Sequence, residues 1–216
     1  MDSNQLSATQ ASYDALAAEY ARRLYDELAA KPLDRELLDR FAARLQGAGK
    51  VCDLGCGPGH VARYLHERGV DAFGIDLSRA MVEQARQLYR GIEFTQGNML
   101  ALDAAENSWA AIVAFYSIIH IPRADLPKLF LEIARVLQPN GLLFLAFHAG
   151  IDEQHVDELW GVKTNLHFYF FHRREIEQHL RAAGFFVEDS LERQPYPEIE
   201  VDTRRAYLLA RKNAPR

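Results

Sequence analysis

The chain has 216 residues, 49% apolar and 25% charged, with a formal net charge of −5. That is one domain's worth of core with a modest appendage, and the acidic balance gives no electrostatic case for a nucleic-acid partner. No apolar run approaches the roughly 20 residues that cross a bilayer. The first residues, Met1-Asp2-Ser3-Asn4-Gln5, lack the basic start and apolar core of a secretory leader. Only Cys52 and Cys56 could pair, so there is no disulfide framework and no zinc set, which fits a reducing cytoplasm.

Residues up to about Ala8 read as a loose polar start. From Ser12 to about Ala30, Tyr13, Leu16, Ala17, Tyr20, Leu24 and Leu28 recur at three- and four-residue steps, which predicts a helix. Pro32 breaks it. Asp34 is the expected cap of a second helix carrying Leu37, Leu38, Phe41 and Leu45 and ending near Gly47. Strands are expected at 50–54, 72–75, 92–96, 110–115 and 141–147, and helices at 60–68, 78–89 and 124–137, with Ser78 as an N-cap. Strands and helices alternate, and the strands are nearly continuous apolar runs. Both features predict a parallel sheet covered on both faces. Gly150 to Leu166 reads as irregular. An aromatic run from His167 to His172 and a helix over 173–183 follow. Strands over 185–191 and 201–211 should close the chain as an antiparallel hairpin on the sheet edge.

The densest signal is Val51-Cys52-Asp53-Leu54-Gly55-Cys56-Gly57-Pro58-Gly59-His60, a strand, a glycine turn and a helix start. Glycines there let the backbone approach a ligand at the carboxyl end of a strand, where open α/β sheets bind nucleotides. A dinucleotide fingerprint would need its third glycine at His60, and this chain has it one place early, at Gly59. Asp53, two places before the first glycine, suits a ligand without phosphates and favours a cationic one. Asp76 ends the next strand, at the distance where an acid accepts from both ribose hydroxyls. Asn98 and Met99 follow the third strand and can flank an adenine.

Asp53 to Gly59, Gly74 to Ser78, Gly97 to Met99, Tyr116 to His120, Leu137 to Gly141, Tyr13 to Tyr20 and Ala183 to Phe185 occur in an order that resembles class I S-adenosylmethionine-dependent methyltransferases of the small-molecule type. The resemblance spans about Ser12 to Arg211. It implies a Rossmann-like, doubly wound α/β sheet of seven strands, mostly parallel with an antiparallel edge hairpin, plus N-terminal lid helices. It divides the chain into lid helices over 1–47 and a cofactor-binding domain over 48–216, with a substrate-side insertion near 149–172. S-adenosylmethionine is the implied cofactor. Gly55, Cys56 and Gly57 line its methionine part, Asp76 holds the ribose, and Asn98 and Met99 flank the adenine. Tyr13, Tyr20, Asp53, Leu77 and Tyr116 complete the expected cofactor set. Asn98 stands where the family often has Asp, and Pro139-Asn140-Gly141 replaces its Pro-Gly-Gly turn.

Methyl transfer from a sulfonium is an in-line displacement, so the protein mainly aligns the partners and excludes water. A base is needed only when the acceptor arrives protonated. His120, after the fourth strand, is the first candidate and His148 the second; either can instead serve packing alone. Phe115-Tyr116-Ser117-Ile118 lacks the Asn/Asp-Pro-Pro-Tyr/Phe sequence of enzymes that methylate base amines. Phe168 to Phe171, Trp160 and the Tyr13–Tyr20 helix are the expected acceptor walls, with core packing as the alternative. The expectation is a methyltransferase acting on a small molecule, with no nucleic-acid or membrane partner, as a monomer or homodimer. A non-catalytic cofactor-binding module and a nicotinamide-dependent oxidoreductase are the rivals.

Overall fold

Residues 1–214 are described by a computed structural model of the chain. In chain order the elements are α1 (Ser3–Leu24), a 3₁₀ turn (Glu27–Ala30), α2 (Pro32–Ala43), β1 (Val51–Leu54), α3 (His60–His66), β2 (Ala72–Asp76), α4 (Arg79–Leu88), β3 (Phe94–Gln96), β4 (Trp109–Phe115), α5 (Leu126–Val136), β5 (Leu137–Ala149), β6 (Glu153–Leu159), β7 (Val162–Tyr169), α6 (Arg173–Ala182), β8 (Phe185–Arg193) and β9 (Arg204–Lys212). Seven strands form one sheet in the order β3-β2-β1-β4-β5-β9-β8. β1 to β5 run parallel, and β9 pairs antiparallel with both β5 and β8. This is the expected mostly parallel sheet with an antiparallel edge hairpin.

Helices cover both faces, which is why the central strands read as apolar runs. Phe130, Ile133 and Leu180 of α5 and α6 pack on Ile112, Leu143 and Leu208. Leu38, Phe41 and Leu65 of α2 and α3 pack on the opposite face, against Val51, Ala111 and Phe144. The strand order reverses between β2 and β4, with β1 in the middle, so a crevice opens beyond the carboxyl end of β1. Ser78 is the N-cap the sequence predicts and accepts from the Met81 amide at 3.1 Å.

Four expectations are corrected. The start of the chain is helical from Ser3, because Asp2 caps it by accepting from the Gln5 amide at 2.8 Å. That helix ends at Leu24, and a separate 3₁₀ turn reaches Ala30. Asp34 is no cap: Pro32 fills the first helical position, and the Asp34 carboxylate is buried, accepting from Arg193 at 2.8 Å and from the Tyr207 hydroxyl at 3.0 Å. The segment read as irregular is a two-stranded hairpin, β6–β7, turning at Trp160-Gly161. Both turn residues have positive φ, +54° and +81°, as a tight two-residue hairpin turn requires. β6 and most of β7 are only half covered, so their alternation is polar and faint.

Candidate functional site

The glycine turn is pinned to its neighbouring strand before any side chain acts. The amides of Gly55 and Cys56 donate to the Ile75 carbonyl at 2.7 and 3.0 Å. A Cβ on Gly55 would lie 2.3 Å from that of Ser117, and its φ of +75° disfavours any other residue. One position on, the space is open: a Cβ on Gly57 would meet nothing nearer than Tyr20, at 3.8 Å. β1 and β2 pair Leu54 with Ile75, so Asp76 stands level with the turn. The Asp76 carboxylate accepts from the amides of Gly57 and Ser78, both at 2.8 Å. Burial is the main cause that raises its pKa, to about 6, against those two hydrogen bonds.

α1 closes over this turn. Asp14 accepts from the Ser78 hydroxyl at 2.6 Å and the Ala80 amide at 3.0 Å, docking α1 on the start of α4. Gln5 donates to the Tyr169 hydroxyl, and the Asn165 amide donates to the Ser12 hydroxyl at 2.8 Å, fastening α1 to β7. α1 and the β6–β7 hairpin thus form one roof. At the tip of the hairpin Trp160 meets the Tyr20 ring at 5.5 Å and takes the Arg23 guanidinium on its face at 4.9 Å.

Two joined cavities lie beneath. The first, about 820 Å³ with its open mouth included, is lined by Tyr13, Tyr20, Gly55, Cys56, Gly57, Asp76, Leu77, Asn98, Met99, Tyr116 and His120. These are the residues expected from the sequence, with one exception. Asp53 is 2% exposed and accepts from the Ala62 amide at 2.9 Å, so it caps the first turn of α3 behind the cavity wall. It precedes the end of β1 and lies under α3, whereas Asp76 is the last residue of β2. Burial raises its pKa to about 7, opposed by the charge of His60 and the Ala62 hydrogen bond.

That assignment has a testable consequence for stability. The folded pKa lies above the ordinary carboxylate value, so the stability this group contributes is full below about pH 4 and is lost as pH rises through about 7. Asp53→Asn keeps an acceptor for Ala62 and is expected to flatten that loss. Asp53→Ala removes the cap and should cost about 1 kcal/mol. Chemical denaturation across pH measures both; an unchanged pH slope in the Asn variant would remove Asp53 from this role.

The second cavity, about 1080 Å³, shares Tyr13, Tyr20, His60, Phe115 and Tyr116 with the first. Trp160 and Phe168 line its apolar wall with Leu159, whereas Tyr169, Phe170 and Phe171 of the expected aromatic run are buried away from it, the packing alternative. Tyr116 faces both cavities and holds an unusual backbone, φ +52°, its hydroxyl 3.1 Å from that of Tyr207. Glu27, Lys31, His60, Glu200 and Arg205 add a polar end to this cavity that sequence reasoning missed. Glu27 and Lys31 stand one helical turn apart, the one local signal that pointed there. Burial alone would raise the Glu27 carboxyl, but the His60 hydrogen bond and the charges of His60 and Lys31 hold it down at about 2.

His120 is buried, and both ring nitrogens are engaged. Nδ1 lies 2.8 Å from the His167 carbonyl, which can only accept, so Nδ1 carries the proton. Nε2 is then the acceptor for the Tyr13 hydroxyl at 2.6 Å. Burial drives the His120 pKa down to about 4, so the ring is neutral at pH 7. His148 contacts Thr203 through Nδ1 at 2.8 Å, and its pKa falls to about 3, by burial first and then by the charges of Arg205 and Lys31.

This architecture recurs in known proteins. A family model described as a methyltransferase domain matches residues 19–190. A malonyl-acyl-carrier-protein O-methyltransferase from Enterobacter lignolyticus is 29% identical over 132 residues, covering 60% of this chain and 51% of the relative. Methyltransferase GfsG from Streptomyces halstedii is 36% identical over 104 residues, covering 45% of this chain and 37% of the relative. The chain spans about half the length of the curated relatives it matches, or less. A crystal structure described as a SAM-dependent methyltransferase from Methanosarcina mazei shares the fold at a TM-score of 0.73 and 17% identity, over 82% of this chain and 98% of that one. With its glycine turn, its strand order and a family match over residues 19–190, the chain belongs to the methyltransferase-domain family.

Proposed function

We propose that this protein transfers a methyl group from S-adenosylmethionine to a small-molecule acceptor, with the donor in the first cavity and the acceptor in the second. The observation that carries the reading is the pair of joined cavities meeting at Tyr13, Tyr20 and Tyr116, one built on the glycine turn and the other on apolar walls. The first suits the cofactor: the backbone at Gly57 leaves room, and each Asp76 oxygen holds one amide and can accept once more. Asn98 commits its carbonyl oxygen to the Leu100 amide at 2.9 Å, which frees its amide donors for an adenine edge. The aromatic faces of Tyr13, Tyr20 and Tyr116 at the junction suit a sulfonium charge.

When bound, S-adenosylmethionine supplies a methyl group whose sulfur leaving group is already activated by its positive charge. The roof of α1 and the β6–β7 hairpin excludes water from the junction. Tyr13 sits there with its proton directed at neutral His120. A hydroxyl acceptor hydrogen-bonded to the Tyr13 oxygen can pass its proton to that oxygen as the phenol proton moves to His120 Nε2. His120 thus acts as the base, one phenol removed from the acceptor. The malonyl-acyl-carrier-protein O-methyltransferase relative supports transfer to an oxygen.

Calorimetry with S-adenosylhomocysteine and with NADH separates the rivals. We expect the first to bind and the second not to; preferential NADH binding would overturn the reading in favour of an oxidoreductase. Transfer of labelled methyl to any member of a small-acceptor panel then distinguishes an enzyme from a binding module.

A further inference from the structure

We propose that the second cavity takes an organic acid, an acceptor whose carboxylate lies against Arg205 and Lys31 while its apolar body lies on Trp160 and Phe168. This rests on the two-cavity methyltransferase reading and names the substrate class for the second cavity.

Two buried nitrogens at the polar end have no hydrogen-bond partner, His60 Nδ1 and Arg205 Nε, and the arginine nitrogen can only donate. The Arg205 side chain is 3% exposed and lines the cavity. Its terminal nitrogens are pinned by Thr203 and by the Val201 carbonyl, yet Nε–H is buried with no hydrogen-bond partner. The nearest acid oxygen, on Glu200, is 3.6 Å away. Buried polar groups are almost always satisfied, so an orphaned donor on a cavity wall marks the place of a missing acceptor. Lys31, 8% exposed, bonds Glu27 and reaches Glu200 at 3.4 Å, leaving part of its ammonium free.

The acids here are spoken for. Both oxygens of Glu200 are held by Arg193, at 2.6 and 3.0 Å, and one also takes the Tyr196 amide at 2.8 Å. Asp34 is held by the same Arg193 and by Tyr207. Glu27 is shared between Lys31 and His60. At His148, on the cavity wall, Arg205 and Lys31 each act more strongly than Glu200, after burial. Both cations also flank the face of Tyr116, with Lys31 Nζ at 5.5 Å and the Arg205 guanidinium at 5.8 Å. The unpartnered Arg205 Nε–H, the partly free Lys31 ammonium and the aromatic walls match a carboxylate on an apolar body.

The test loads the full chain with S-adenosylhomocysteine and titrates two matched trios, 3-phenylpropanoate with its amide and amine, and hexanoate with its amide and amine. The expected result is that at least one acid binds at least about tenfold more tightly than its amide and amine. Arg205→Gln should reduce that preference below about threefold while S-adenosylhomocysteine binding persists. Lys31→Met is the second variant if Arg205→Gln does not fold, and the wild-type comparison needs neither. Equal binding of acid and amide, tighter amine binding, no acid binding, or a preference that survives the substitution overturns the inference. Failure of S-adenosylhomocysteine itself to bind overturns the methyltransferase reading instead, so the two failures are distinguishable.

Discussion

Asp76→Ala should weaken S-adenosylhomocysteine binding by about a hundredfold. Hydrogen bonds to a charged group contribute about 1.5–3 kcal/mol each, and two ribose hydroxyls on one carboxylate bring the loss to about 3 kcal/mol. The alanine variant also releases the amides of Gly57 and Ser78, so the turn loosens as the ribose contact is lost. Asp76→Asn keeps one acceptor and should lose about tenfold. Affinity should also fall as pH drops through about 6, where the buried carboxyl takes up its proton and accepts less. Calorimetry on a variant whose melting temperature is retained measures this. An affinity unchanged by the alanine substitution would exclude Asp76 from ribose binding.

The second large effect concerns turnover. Tyr13→Phe and His120→Ala should each lower kcat by about a hundredfold while leaving S-adenosylhomocysteine affinity nearly intact, since a positioned base contributes about 10²–10⁴ in rate. The two residues share one hydrogen bond, so the double variant should be little worse than either single one. In the wild type, kcat should fall as pH drops through about 4, where His120 becomes charged. Single-turnover rates with an identified acceptor give the answer. If kcat in His120→Ala equals the wild type, the base role is wrong and His120 only positions Tyr13.

Much of this was legible in the sequence, and what was not has physical causes. β1, β2 and β4 are covered on both faces and therefore read as nearly continuous apolar runs. β6 and β7 form a roof that water touches, and their alternation is too weak to stand out from a loop. Asp53 and Asp76 look alike as acids at strand ends. Which one lines the cavity depends on α3 passing over the first and stopping short of the second. The polar end of the second cavity draws on Glu27 and Lys31, His60, Glu200 and Arg205. These come from three distant stretches of chain, and no spacing rule joins them.

Asp53 and Asp76 carry two raised carboxyls on neighbouring strands, one behind the cavity wall and one lining the cavity. Burial is the largest cause of both upward shifts, to about 7 and about 6; Asp76 adds a rise at Asp53, and Asp14 adds one at Asp76. A cation bound in the first cavity would favour the ionised form of Asp76, which lines it, so a proton would leave as the cation binds. A neutral thioether product offers no such incentive, and protons return. The donor and its spent form would then differ in how many protons the protein carries, and the preference between them would shift with ambient acidity through Asp76.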